Sequence, residues 1–209
     1  MGARYDCEIL VENNVIADLK GQYLDLSGTN RNLVYLYISD GVGGSIICNG
    51  QVIDGENSMA GKFAHILVES GGRRCACGKR GHLESYVSKP AMEEAYFEAS
   101  GKRLELPEIC RLAGEGEKAA AAVLKDAIDK LAIGINQILL VVNPGTLVLY
   151  GDLFESVDGI LERLKQKTKE LAFTEEIADN CWMVRETKNV RIEDSIARLS
   201  VERALEIIV

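Results

Sequence analysis

Both histidines of this 209-residue chain and two of its six cysteines fall within eighteen residues: His65, then Cys75-Ala76-Cys77-Gly78-Lys79-Arg80-Gly81-His82. Two thiolates and two imidazoles are the donor set of a closed, tetrahedral, structural zinc site. Cys-x-Cys with His five positions later makes a tight knuckle, and Gly71, Gly72, Gly78 and Gly81 let the backbone fold around an ion. The expected ligands of Zn2+ are therefore His65, Cys75, Cys77 and His82, with Arg73, Arg74, Lys79 and Arg80 offsetting the thiolate charge. The competing reading is an exposed, basic, glycine-rich loop with incidental cysteines and His65 as a core histidine. A cysteine cluster with matching histidines in a reducing compartment favours the metal.

Something must hold these residues in place. Residues 7–12 read as a strand and Val15 to Leu24 as a helix, followed by a turn rich in Ser27, Gly28, Thr29 and Asn30. Three strands are expected at Leu33 to Ser39, Ser45 to Cys48 and Gln51 to Ile53, separated by Asp40-Gly41-Val42-Gly43-Gly44 and by Asn49-Gly50. The Asn-Gly pair signals a hairpin, so these strands should be sequential and antiparallel. Pro90 is placed to start a helix over Ala91 to Ser100. Between Glu117 and Val142 the residues Val123, Leu124, Ala127, Ile128, Leu131, Ile135, Ile138 and Leu139 recur at steps of three and four, which predicts one long helix with a buried stripe. Asn143-Pro144-Gly145 stops it. A strand at Thr146 to Tyr150, an amphipathic helix over Leu153 to Leu171, a strand at Cys181 to Arg185 and a closing helix over Ser195 to Ile208 complete an α/β pattern with a mixed sheet.

Bulk properties narrow the function. With 47% hydrophobic residues the chain can bury one generous core or two small ones. The stretch Leu131 to Val142, interrupted by Gly134, Asn136 and Gln137, is too short and polar for a bilayer span, and Met1-Gly2-Ala3-Arg4-Tyr5-Asp6 has no apolar signal core. A cytoplasmic location without membrane association is expected, with Cys7, Cys48, Cys110 and Cys181 as reduced core thiols. A net charge of -8 argues against this chain gripping nucleic acid by itself.

Five segments in order resemble those of one family. Val11-Glu12-Asn13-Asn14 resembles a Glu-Asn-Asp segment, and Asp40 to Ile47 with Asn49-Gly50 resembles a Gly-Thr-Gly-x-Gly-Gly-Gly hairpin. Ala60-Gly61-Lys62-Phe63-Ala64-His65 is similar to Ala-Gly-Glu-x-Gly-His, and Cys75 to Glu84 to Cys-x-Cys-Gly-x-x-Gly-Cys-x-Glu. Asn143-Pro144 with Leu149-Tyr150-Gly151 resembles the Asn-Pro and Gly-Gly segments near an adenine site. Together they are similar to the ROK family of bacterial sugar kinases and sugar-responsive transcription factors. The resemblance spans nearly all of this chain but about the C-terminal two thirds of a family kinase.

The resemblance implies an actin-like ATPase, ribonuclease H-like α/β fold lacking most of the N-terminal lobe. On it, 1–209 is a C-terminal ROK domain. Residues 1–28 form the edge of the catalytic-loop region, 29–190 a large lobe with the zinc loop at 65–84, and 191–209 the closing helix. It places Asn13, Asn14, Lys62, His65 and Glu84 at a sugar or effector site, His65 using one ring nitrogen for zinc and the other for the ligand. It assigns Asp40, Gly41, Gly43, Gly44, Tyr150 and Gly151 to a degenerate nucleotide site, where Tyr150 adds bulk. The family's base, an aspartate, is Asn14 here, an amide without useful basicity. Asp40 stands where a threonine faces phosphates, Lys62 replaces a glutamate, and His82 replaces a third cysteine. The opening Asp-x-Gly-Gly-Thr loop has no counterpart. No catalytic residue is thus expected, and the implied function is the sugar-sensing part of a ROK-type transcriptional regulator. Such a regulator would be a dimer or tetramer and would touch DNA through a segment outside this chain. The alternative is a divergent ROK sugar kinase with a truncated first lobe.

Overall fold

A computed structural model describes residues 31–179, the strand 181–185 and Ala197. The strand expected at 7–12, the helix at 15–24, most of that at 195–208, and Cys7, Asn13 and Asn14 lie outside these residues.

Strand β1 (Leu33–Ile38) turns through Ser39-Asp40-Gly41 into β2 (Val42–Cys48), which turns through Asn49-Gly50 into β3 (Gln51–Val52). Asn49 and Gly50 both have positive φ, 53° and 83°, as a two-residue primed hairpin turn demands. β4 (Thr146–Tyr150) lies parallel to β1, and β5 (Cys181–Arg185) parallel to β4, giving the mixed order β3-β2-β1-β4-β5. One expectation needs correcting. Val42, Gly43 and Gly44 belong to β2, paired with Ile38, Tyr37 and Leu36. Glycine is tolerated there because the ring of Phe63 occupies the space a side chain on Gly44 would fill, 2.2 Å from an added Cβ.

Seven helices accompany the sheet among the described residues: α1 (Glu84–Val87), α2 (Lys89–Ser100), α3 (Leu106–Gly114), α4 (Lys118–Val142), α5 (Asp152–Ser156), α6 (Ile160–Leu171) and α7 (Glu175–Ala178). Glu117 caps α4 by accepting from the Ala120 amide at 2.6 Å, and Asn143, left-handed at φ 45°, ends it. The whole expected stripe of α4 is buried and shares a core with Val34, Leu36, Ile38, Leu147 and Leu149 of one sheet face. Each large apolar side chain so buried stabilises the fold by roughly 1.5–3 kcal/mol. The single helix expected over Leu153 to Leu171 is two, broken at Val157-Asp158-Gly159, with Val157 extended and Gly159 left-handed at φ 66°. Leu153, Phe154, Val157, Ile160 and Leu164 remain buried across the break, so their spacing mimics one continuous helix. Cys48 is exposed at the end of β2, against the expected core position, whereas Cys110 is buried on α3. No described helix is long and apolar enough to cross a membrane.

Candidate metal centre and adjoining site

A short 3-10 turn, Phe63–His65, begins the site. Buried Phe63 seats this turn against Gly44, leaving His65 exposed at its end. The chain then leaves and returns: the Val68 and Glu69 amides both donate to the Gly81 carbonyl, at 2.8 and 3.2 Å, and the Leu83 amide to the Ile66 carbonyl at 2.9 Å. This return brings His82 beside His65, ring centroids 5.2 Å apart. Gly81 makes the closure possible, since a Cβ there would stand 1.6 Å from the Glu69 carbonyl oxygen. Within the excursion, the Gly78 amide donates to Cys75 at 2.9 Å and the Cys75 amide to Lys79 at 2.8 Å, which forms the knuckle.

One ligand atom from each of His65, Cys75, Cys77 and His82 lies within 4.8 Å of all the others, and Cys77 Sγ is 3.2 Å from His82 Nδ1. Ordinary zinc bond lengths give tetrahedron edges of roughly 3.3–3.8 Å, so closing on an ion requires movements of about 1 Å or less. Burial, with the neighbouring Cys77 thiol and the Glu84 charge, holds the Cys75 thiol above its ordinary pKa. The donor set is one that a divalent cation would convert to thiolate. The basic residues do not all serve the thiolates: Arg73 is bound to Asp126 at 2.8 Å and Arg80 donates to the Gly72 carbonyl at 3.1 Å.

Tyr86, on α1, is a second centre that spacing does not reveal. Its hydroxyl donates to Glu69 Oε2 at 2.5 Å and accepts from the Arg73 amide at 2.7 Å. Lys130 pairs with Glu69 at 3.1 Å, and the charged ends of Arg73 and Lys130 stand 4.8 and 5.3 Å from the Tyr86 ring centroid. The Glu69 carboxyl lies below its ordinary pKa, chiefly through the Tyr86 hydrogen bond and then Lys130.

Glu84 begins α1 two positions after His82, and its Oε2 accepts from the Val42 amide at 3.2 Å, which ties the metal loop to the β1–β2 hairpin. Lys62 is exposed three residues before His65 across the 3-10 turn. Asp40 is exposed at the hairpin tip, and Gly41, Gly43 and Gly44 are half-buried beside it. Tyr150 and Gly151 follow at the adjacent end of β4, in register with Tyr37. Tyr150 is buried at 6% exposure, its ring against Tyr35 and Tyr37 at 5.8 and 5.3 Å. Gly151 has φ 112°, and a Cβ on it would stand 2.2 Å from the Ile38 carbonyl oxygen. Ser39, which the sequence does not single out, donates to Asp152 Oδ2 at 2.6 Å and locks the two strand ends together. Lys62, His65, Glu84 and the hairpin glycines are thus joined by short connections, while Asn13 and Asn14 lie outside the described residues.

A sequence profile of the ROK family matches residues 1–191. The N-acetyl-D-glucosamine kinase of Shigella boydii serotype 4 is 30% identical over 164 residues, covering 73% of this chain and 54% of that protein. The xylose repressor of Bacillus subtilis is 25% identical over 173 residues, covering 82% and 45%. The chain therefore spans about half the length of these relatives. In fold, it is similar to the ROK hexokinase of Thermus thermophilus, with TM-score 0.77 and 23% identity over 88% of this chain and 61% of that one.

Proposed function

The chain belongs to the ROK family, and on that premise we propose that it senses a sugar or sugar derivative without phosphorylating it, as the effector-binding part of a transcriptional regulator. The observation that carries this reading is Asn14. By resemblance it stands where the kinases place their base, and an amide cannot take the proton that a sugar hydroxyl must lose on attacking a phosphoryl group. Asp40 supports it, as an exposed carboxylate at the hairpin tip would repel nucleotide phosphates. Asn13, Asn14, Lys62, His65 and Glu84 are the proposed effector contacts, and His65, Cys75, Cys77 and His82 the zinc ligands. A zinc ion there supplies a structural crosslink and a fixed orientation for the His65 ring. A DNA-binding segment outside this chain and a dimeric or tetrameric state belong to the same proposal.

A sugar kinase is the second reading, favoured by the 30% identity to an N-acetyl-D-glucosamine kinase. Calorimetric titration of the zinc-loaded protein with hexoses, N-acetylhexosamines, xylose and their phosphates separates the two when paired with an ATP-consumption assay. Binding of at least one sugar with no ATP turnover is expected. Turnover that yields a sugar phosphate establishes the kinase, and no heat from any compound removes effector sensing.

A further inference from the structure

We propose that Tyr86 is a positioning residue for the metal centre, its hydroxyl fixing where Cys75 and Cys77 stand relative to His65 and His82. The proposal rests on the reading of the four-residue cluster as a metal site. The two histidines are held by short backbone links to each other's segments, through the Leu67–His82 bridge and the Leu83–Ile66 hydrogen bond. The cysteines are tied within their own excursion, by the Arg74–Arg80 bridge, by the Gly81 amide on the Arg73 carbonyl at 2.8 Å and by the Cys75 amide on the Lys79 carbonyl at 2.8 Å. They sit at the far end of an excursion that leaves at Glu69 and turns at Gly71-Gly72, and an excursion of this kind has many orientations available unless its base is clamped.

The Gly81 amide closes that base on the backbone side, and Tyr86 clamps it from the helix side. Its hydroxyl accepts from the Arg73 amide, two residues before Cys75, and donates to Glu69, where the excursion departs. One oxygen therefore holds both the departure of the loop and its approach to Cys75. The phenol is buried at 1% exposure on the helix that also carries Glu84. Its two loop partners are in turn fixed to α4, Glu69 by Lys130 and Arg73 by Asp126. Gly72 shows how closely the loop is fitted: a Cβ there would lie 2.0 Å from the Tyr86 oxygen and 2.8 Å from Glu69 Oε2. Groups that orient metal ligands without touching the ion govern affinity, because a ligand held in place loses less freedom when the ion binds.

The test compares metal-stripped wild type with Tyr86→Phe, which keeps the buried ring and its two cationic neighbours and removes only the oxygen. Each is titrated with zinc against a chromophoric chelator, and with cobalt(II), whose visible bands report thiolate number and tetrahedral geometry. We expect zinc affinity to fall by about 10- to 100-fold and the cobalt bands to shift or weaken. The denaturant midpoint of the metal-free protein should move too little to account for that loss. Gly72→Ala should reproduce the effect by displacing the phenol. If Tyr86→Phe does not fold, Glu69→Gln against Glu69→Ala decides: the amide still accepts from the phenol and should retain most of the affinity, whereas alanine should not. Unchanged zinc affinity and cobalt spectrum in Tyr86→Phe overturn the proposal and leave the metal centre standing, as does an affinity loss fully matched by destabilisation of the metal-free form. A wild type that takes up neither ion overturns the metal centre and the positioning role together.

Discussion

Cys77 Sγ and His82 Nδ1 stand 3.2 Å apart on opposite sides of the knuckle, a separation close to that of two ligands sharing one tetrahedral ion. Removing either side chain leaves three donors. Cys77→Ser and His82→Ala should each reduce zinc content from one ion per chain to well below stoichiometry after dialysis against a mild chelator, as measured by elemental analysis. Retention of a full ion in both variants would dismiss the four-ligand site.

Binding should also depend on pH in a defined direction. The Cys75 thiol lies above its ordinary pKa, first because it is buried, so it is protonated at neutral pH in the metal-free protein. An ion must displace that proton, so affinity should rise with pH by about one decade per unit around neutrality from this group. Proton release on zinc addition, followed with an indicator dye in weak buffer, checks this.

Cys110 allows a stability prediction. Burial pushes its thiol up to about 11 from an ordinary value of 9.0. A folded-state pKa raised above the unfolded one contributes stability that is complete below the unfolded value and is lost as pH climbs towards the folded one. Between pH 9 and 11 the protein should lose at most about 1.4 kcal/mol per pH unit from this group. Cys110→Val, similar in size and without a proton to lose, should flatten that part of the profile when both are unfolded with guanidinium in excess chelator.

Gly151 is constrained twice, by φ 112° and by the Ile38 carbonyl oxygen 2.2 Å from any Cβ. Gly151→Ala should cost about 2 kcal/mol or more, since strained backbone alone costs roughly 1–3 kcal/mol. Its thermal midpoint should fall by several degrees.

Ser39 and Asp152 join the ends of β1 and β4 through a hydrogen bond to a charged acceptor. Ser39→Ala should destabilise by roughly 1.5–3 kcal/mol, and Asp152→Asn, which still presents an acceptor, by less. Equal effects in denaturant titration would show that the charge dominates.

The features legible in the sequence are those whose causes are local. Asn49-Gly50 sets its own turn, the α4 stripe announces its period, and the four candidate metal ligands fall within eighteen residues. What spacing missed is tertiary. Gly44 reads as a turn residue until Phe63 is known to fill the space beside it. Leu153 to Leu164 read as one helix because the break keeps its apolar residues in phase. Arg73 reads as a counterion to the thiolates, but its partner Asp126 is 53 positions away on α4. Tyr86 and Glu69 carry no motif at all, and only folding brings them together.

The parallel pairing of β1 with β4 also bears on how the chain reaches its native state. Leu33 meets Ile47 on the next strand, but it meets Thr146 only across more than a hundred intervening positions. Closing a loop of that length costs about 3 kcal/mol more in chain entropy than closing a short hairpin. The β1–β2–β3 hairpins can therefore form early, while β4 must wait for what lies between. The metal knuckle and its attachment to α4 fall inside that interval. Once formed, these local contacts shorten the effective distance β4 must bridge, so the order in which the chain folds runs from the hairpins through this loop to the completed sheet.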